Sequence, residues 1–192
     1  MKKKKEEPLP QIEGYEPEQR TISMLSANIW AVVVMVVAGG AGWWLTKWIQ
    51  PDAALAVFDM LWIGVMIVVG IVAHELIHGL TWMALTKGRF SHLSFGTMQG
   101  AVYCHVDVPM TKRNYIIMAL MPGLLTGLVP WLAGIAAGSL LWMLFGAVMI
   151  GGAMGDIMLV WSIRKDTSDT MIYDHPNLVG CYVYHKCNQA DA

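Results

Sequence analysis

The sequence predicts an all-α membrane protein: about four transmembrane helices and one small cytoplasmic β-hairpin between the second and the third. Three observations predict it. The chain is 56% hydrophobic and only 14% charged, where soluble domains are about 45–50% apolar and about 25% charged. It holds four apolar runs, each long enough to cross a hydrocarbon core about 30 Å thick. Between the second and third runs, polar residues return over 87–114, and SHLSFGTM and AVYCHVDV flank Gln99–Gly100 as two short strands flank a turn. The 192 residues suit one domain, and the net charge of −1 gives no global field that would favour nucleic acid.

Residues 1–25 are polar and rich in Glu and Pro, which predicts a flexible or interfacial arm. Lys2–Lys5 are followed by acids and prolines and not by an apolar core, so no cleaved signal peptide is expected. The first run is Ala27 to Trp48, ending in an aromatic cluster of Trp43, Trp44 and Trp48 as helices do at a membrane interface. QPDA (50–53) is a turn. The second run, Ala54 to Leu85, is long for one span, and its start up to Asp59 is expected along the interface. The third, Tyr115 to Ala137, carries Pro122 and Pro130, which should kink or unwind it. The fourth runs from Leu140 to Ile163, and a polar tail follows.

Every Lys and Arg except Lys47 falls on the side shared by the arm, the hairpin and the tail. By the bias of basic residues this side is cytoplasmic, in a multi-pass protein of the cell (inner) membrane. The expected organisation is a cytoplasmic arm (1–25), a multi-pass membrane domain (26–165, hairpin at about 88–110) and a cytoplasmic tail (166–192). Cys104, Cys181 and Cys187 are odd in number and match no CxxC spacing, so they are expected as free thiols.

The chemistry lies in VAHELIHGL (72–80). An ionisable group at mid-bilayer costs about 2.5–3.5 kcal/mol or more and usually marks function. His74 and His78 stand four residues apart, on one face of a helix, where both imidazoles can reach one metal ion. Glu75 then stands beside the metal as general base for a metal-bound water, which Zn2+ brings near neutrality. Gly79 permits close approach by another backbone. A third ligand is expected at Asp156, in GGAMGDIMLVW (151–161). His78 lies nine residues before Lys87 and Asp156 eight before Arg164, so at about 1.5 Å per residue their depths coincide. Gly151 and Gly155 form a GxxxG pair suited to close helix packing. Other candidate ligands are His92, Cys104, His105, Asp107 and His175, although Cys104 and His105 as strand neighbours point to opposite faces. MPGLLTG (121–127) could present unwound backbone or a plain proline kink.

HELIHGL on a membrane helix, a following hairpin, a Pro-containing span and a later Gly-Asp in a span resemble the site-2-protease-like intramembrane metalloproteases. More closely, residues 60–185, including DHPNLVGCYVY, resemble bacterial membrane proteins grouped as the putative zincin peptidase family. In site-2 proteases the aspartate follows Asn-Pro and precedes Gly, whereas here it stands between Gly155 and Ile157. The resemblance implies Zn2+ on His74, His78 and Asp156, with Glu75 activating water to hydrolyse a peptide bond. The implied partners are a membrane protein or peptide substrate and the lipid bilayer. The alternative is a non-catalytic metal-binding membrane protein: a sensor, scaffold or transporter.

Overall fold

The computed structural model describes residues 9–98 and 101–187. Lys2–Lys5 and the Gln99–Gly100 turn lie outside them. The chain runs through strand β1 (Tyr15–Thr21), helices α1 (Met24–Ile49) and α2 (Val57–Thr86), strands β2 (Leu93–Met98), β3 (Ala101–Val106) and β4 (Met110–Thr111), helices α3 (Lys112–Pro122), α4 (Val129–Ala137), α5 (Leu140–Gly152) and α6 (Met154–Ser162), and strands β5 (Met171–Asp174) and β6 (Gly180–Lys186). Four helical stretches are long and apolar enough to cross a membrane: Met24–Ile49, Val57–Thr86, Lys112–Ala137 and Leu140–Ser162.

The helical form suits such apolar stretches, because a helix satisfies its backbone groups within the segment. Their ends carry local signals. Ser23 caps α1 by accepting from Ser26 N, and Ser139 caps α5 by accepting from Trp142 N. Asp59 closes the first turn of α2, its Oδ2 accepting from Ala56 N at 2.8 Å. From Val57 to Thr86, α2 is one continuous helix. At the end of α4, Gly138 takes the left-handed conformation (φ 68°) that only glycine adopts freely.

α5 is central, packed on α1, α4 and α2. Its buried Met143, Phe145, Ala147 and Met149 form the middle of the bundle, while Val36, Val37, Val68, Val69 and Leu132 on the outer helices are exposed as lipid-facing residues would be. Both later stretches are interrupted. From Gly123 to Leu128 the third is a π-helix, not unwound backbone, and Thr126 Oγ1 returns a hydrogen bond to Pro122 O at 2.8 Å. The fourth breaks at Ala153 (ψ 2°), between α5 and α6.

The all-α expectation fails at the polar end. Among the described residues six strands form two sheets: β2–β3, and an antiparallel sheet in the order β1-β6-β5-β4. Residues 15–21, expected in a flexible or interfacial arm, are a strand that pairs with the tail from Tyr15↔Lys186 to Thr21↔Gly180. The reason is non-local. YEPEQRT has no apolar periodicity of its own and becomes a strand because β6 supplies the partner edge. The hairpin also differs in placement: its strands cover only 93–106, and β4 belongs to the other sheet. Trp82, Val106, Met110, Tyr115, Ile163, Ile172 and Val183 join the sheets to the ends of α2, α3 and α6 in one core.

Candidate metal centre

Helix α2 turns Gly70, His74, His78, Gly79 and Trp82 inward and leaves Val72, Leu76 and Leu80 outside. His74 and His78 are each only 7% exposed. Their ring centroids lie 4.9 Å apart, and one ligand atom each from His74, Glu75 and His78 fits within 4.8 Å. This is what one helical turn does to residues i, i+1 and i+4 when i and i+4 face the same way.

Asp156 arrives from the other side of the bundle, on the first turn of α6 just past the Ala153 break. Its Oδ2 lies 3.1 Å from His74 Nε2 and 3.5 Å from His78 Nε2. The other ring nitrogen of His78, Nδ1, lies 3.0 Å from the carbonyl oxygen of Met118. A carbonyl only accepts, so Nδ1 carries the proton, and neutral His78 turns a bare Nε2 lone pair towards the Asp156 carboxylate. Two electron-rich atoms at that distance require a positive charge between or upon them, either a proton or a metal ion.

These groups line a cavity of about 270 Å³. Its other walls are Ala27 and Asn28 of α1, residues Val102–His105 of β3, and the β5–β6 turn. The Glu75 carboxylate is within reach of the backbone N–H of Cys104. The expected close approach at Gly79 is made by side chains and not by backbone: a Cβ there would meet Leu93 Cδ1 at 2.8 Å, Phe95 at 3.4 Å and Cys104 Sγ at 3.5 Å. That contact seats the hairpin beside Glu75. The GxxxG expectation holds for half its pair. A Cβ on Gly151 would sit 2.7 Å from Ala31 O of α1, whereas Gly155 has nothing within 4 Å and borders the cavity.

The competing ligands are otherwise engaged. His92 Nδ1 pairs with Asp107 Oδ1 at 2.7 Å at the base of the hairpin. His175 Nδ1 accepts from the N–H groups of Asn177 and Leu178, holding the β5–β6 turn, and burial holds its pKa below the usual value. Cys104 points at α2, its Sγ against Gly79, and burial pushes its thiol up to about 12. His105, on the opposite face of β3, stacks edge-on to Tyr173 at 6.0 Å. The cavity-lining part of the third stretch is Tyr115, Met118 and Ala119, not 121–127.

Asp174 and Tyr115 were not singled out in the sequence. Asp174 Oδ2 accepts from Val106 N at 3.0 Å, and the Tyr115 hydroxyl lies beside the same carboxyl. Burial holds Asp174 above the usual carboxyl range against the opposing pull of His105. The available signal was the acid closing the apolar strand MIYD, but its partners stand 59 and 68 residues away by number (174 − 115 and 174 − 106).

A family model described as "Putative zincin peptidase" matches residues 67–171, from the middle of α2 to the start of β5. No curated protein and no solved structure matches the chain.

Proposed function

This chain belongs to the family described as "Putative zincin peptidase", and from that premise we propose that it is a zinc-dependent peptidase embedded in the membrane. One observation carries the reading: two imidazole Nε2 atoms and the Asp156 Oδ2 converge at 3.1 and 3.5 Å beside the Glu75 carboxylate. A tetrahedral zinc with bonds of about 2.0–2.1 Å separates its ligands by about 3.3–3.4 Å, so the donor set has the right chemistry and the right spread. His74, His78 and Asp156 are the proposed ligands, and the cavity is the open side. The pairing of the second and fourth stretches at one depth, inside helices apolar enough to cross a bilayer, supports placing the site below the lipid surface.

Zinc in that position supplies Lewis acidity for the carbonyl and makes hydroxide accessible near neutral pH. The chain's own groups do the rest. Glu75 takes the proton from the attacking water as its oxygen adds to the carbonyl carbon. When the C–N bond breaks, Glu75 returns that proton to the leaving amine. Edge strand β3 positions the substrate. Val106 turns its N–H away from β2 to Asp174. By the alternation of an antiparallel pair, Cys104 and Val102 turn their backbone groups the same way, along the cavity. An extended peptide could pair at Val102, two residues from Glu75's own contact with Cys104.

Glu75→Gln tests the assignment, with zinc content and cleavage of labelled casein measured on the same detergent-solubilised sample. The expected result is full zinc with cleavage reduced about 10²–10⁴-fold, the usual contribution of a general base. Cleavage equal to wild type removes Glu75 from the mechanism. Zinc binding without cleavage by wild type would favour the non-catalytic metal-binding protein.

A further inference from the structure

We propose that Pro122 is a positioning residue of the metal centre, acting through the backbone carbonyl of Met118 on His78. The inference rests on the reading of His78 as a ligand, but its geometric part stands apart from it.

In an α-helix the carbonyl of residue i accepts from the N–H of residue i+4. For Met118 that donor would be residue 122, a proline with no N–H, whose ring also pushes the i−4 carbonyl aside. The sequence therefore leaves the Met118 carbonyl without its helical donor, inside a stretch where no water can replace it. The carbonyl finds His78 Nδ1 at 3.0 Å. Every link is buried: Met118 is 5% exposed, His78 is 7%, and Pro122 is among the fully buried side chains. The missing hydrogen bond of one helix thus becomes the acceptor that selects the tautomer of an imidazole on another.

The same turn also touches the opposite half of the site. Directly after Pro122, Gly123 faces Ala153, whose Cβ would lie 2.9 Å from an added Cβ. Ala153 is the break that sets α6, and with it Asp156, at its angle. Pro122 therefore lies where the His78 and Asp156 halves are held in register. Pro130 is the natural control. It too lacks an N–H, but the carbonyl four residues before it belongs to Thr126, whereas His78 bonds that of Met118.

Pro122→Ala supplies an N–H whose natural acceptor is the Met118 carbonyl, in competition with His78. A backbone ester at 122, introduced as an α-hydroxy acid, lacks both the ring and the N–H. Zinc affinity is measured by chelator competition on the full chain in detergent. The expected result is a loss of about 10–100-fold for Pro122→Ala, the scale set by partners that orient metal-bound histidines. Pro130→Ala and the ester should keep the wild-type affinity. The second readout is ¹⁵N NMR of the zinc-free protein. His78 should show a slowly exchanging Nδ1–H in wild type and in the ester, and lose it in Pro122→Ala.

Pro122→Ala with wild-type affinity and a protected Nδ1–H overturns the proposal. So does an ester that loses as much affinity as alanine, because the missing donor is then not the cause. If wild type binds no zinc, the metal reading fails, and the Nδ1–H signal alone still decides whether Pro122 controls His78.

Discussion

His74, Glu75 and His78 share one turn of an unbroken helix, while Asp156 stands just past a break in another, 82 residues from His74. The first half of the centre needs nothing beyond helix geometry to assemble. The second half depends on where α6 begins and on what holds its far end. That end is tied to the sheet: Arg20 of β1 donates through Nη1 to Ser162 O at 2.6 Å and grips both oxygens of Asp166 at 2.9 and 3.0 Å. An N-terminal strand thus anchors the helix that carries the third proposed ligand. The lesson is that a metal centre can be half local and half topological, and the two halves should fail differently.

The largest contrast comes from the ligands themselves. His74→Ala or His78→Ala should lower zinc affinity more than about 100-fold, beyond the cost of losing a merely orienting partner. Asp156→Ala should lose less, because Glu75 has a carboxylate oxygen within the same 4.8 Å group and can lean in as a substitute. Chelator competition measures both. Wild-type affinity in Asp156→Ala would move the third ligand elsewhere and dissolve the two-half picture.

Cutting the anchor should act only on the second half. Arg20→Ala strands the Asp166 carboxylate, whose side chain is 7% exposed, and leaves the Ser162 carbonyl without its donor. An unsatisfied buried group costs about 1–3 kcal/mol, so the thermal midpoint should fall and zinc affinity should weaken with it. A lower midpoint with unchanged affinity would show that β1 stabilises the sheet without steering Asp156.

The two glycines either side of the Ala153 break sharpen the point further. Gly151→Ala drives a Cβ to 2.7 Å from Ala31 O, a backbone atom with little room to retreat, and should cost about 1–3 kcal/mol of stability. Gly155→Ala meets nothing and should gain up to about 1 kcal/mol from helix propensity, while narrowing the cavity and slowing casein cleavage. Equal effects of the two substitutions on thermal unfolding would return both glycines to a single packing seam.

This division also explains what could be read without coordinates. HELIH was legible because its meaning lies within five residues and one helical period. The meeting of Asp156 with it was legible only as matched depth, since both runs end in basic residues that fix their height. The break at Ala153 gave no signal, because a short apolar run with glycines continues a helix as readily as it interrupts one. The π-helical turn after Pro122 was foreseen as a kink or as unwound backbone, not as a widening that keeps the backbone bonded. β1 was illegible for the opposite reason. A charged heptapeptide with a proline carries no strand period, and its identity as a strand is supplied by β6. Tyr115 and Asp174 escaped attention because neither forms a pattern until α3 and β5 meet.

The smallest effect expected is acid sensitivity at the same anchor. Glu18 accepts from Arg20 Nε at 3.1 Å and Nη2 at 3.0 Å, and lies 2.9 Å from His185 Nε2 of β6. The bonds to Arg20, then that to His185, hold its carboxyl below the usual range. A carboxyl depressed in the folded state stabilises above its unfolded value of about 4.3, and that contribution disappears as pH falls through the folded value. The side chain is 53% exposed, so solvent screens most of the interaction and the shift should be slight. Between pH 7 and pH 3 the wild-type midpoint should therefore fall a little further than that of Glu18→Gln. At neutral pH Glu18→Gln should leave zinc affinity untouched, because Arg20 keeps its two bonds to Asp166 without it. Parallel midpoints would remove Glu18 from the anchor, and weakened zinc binding in Glu18→Gln would mean that the grip on α6 runs through the exposed face of β1 and not through the buried Asp166.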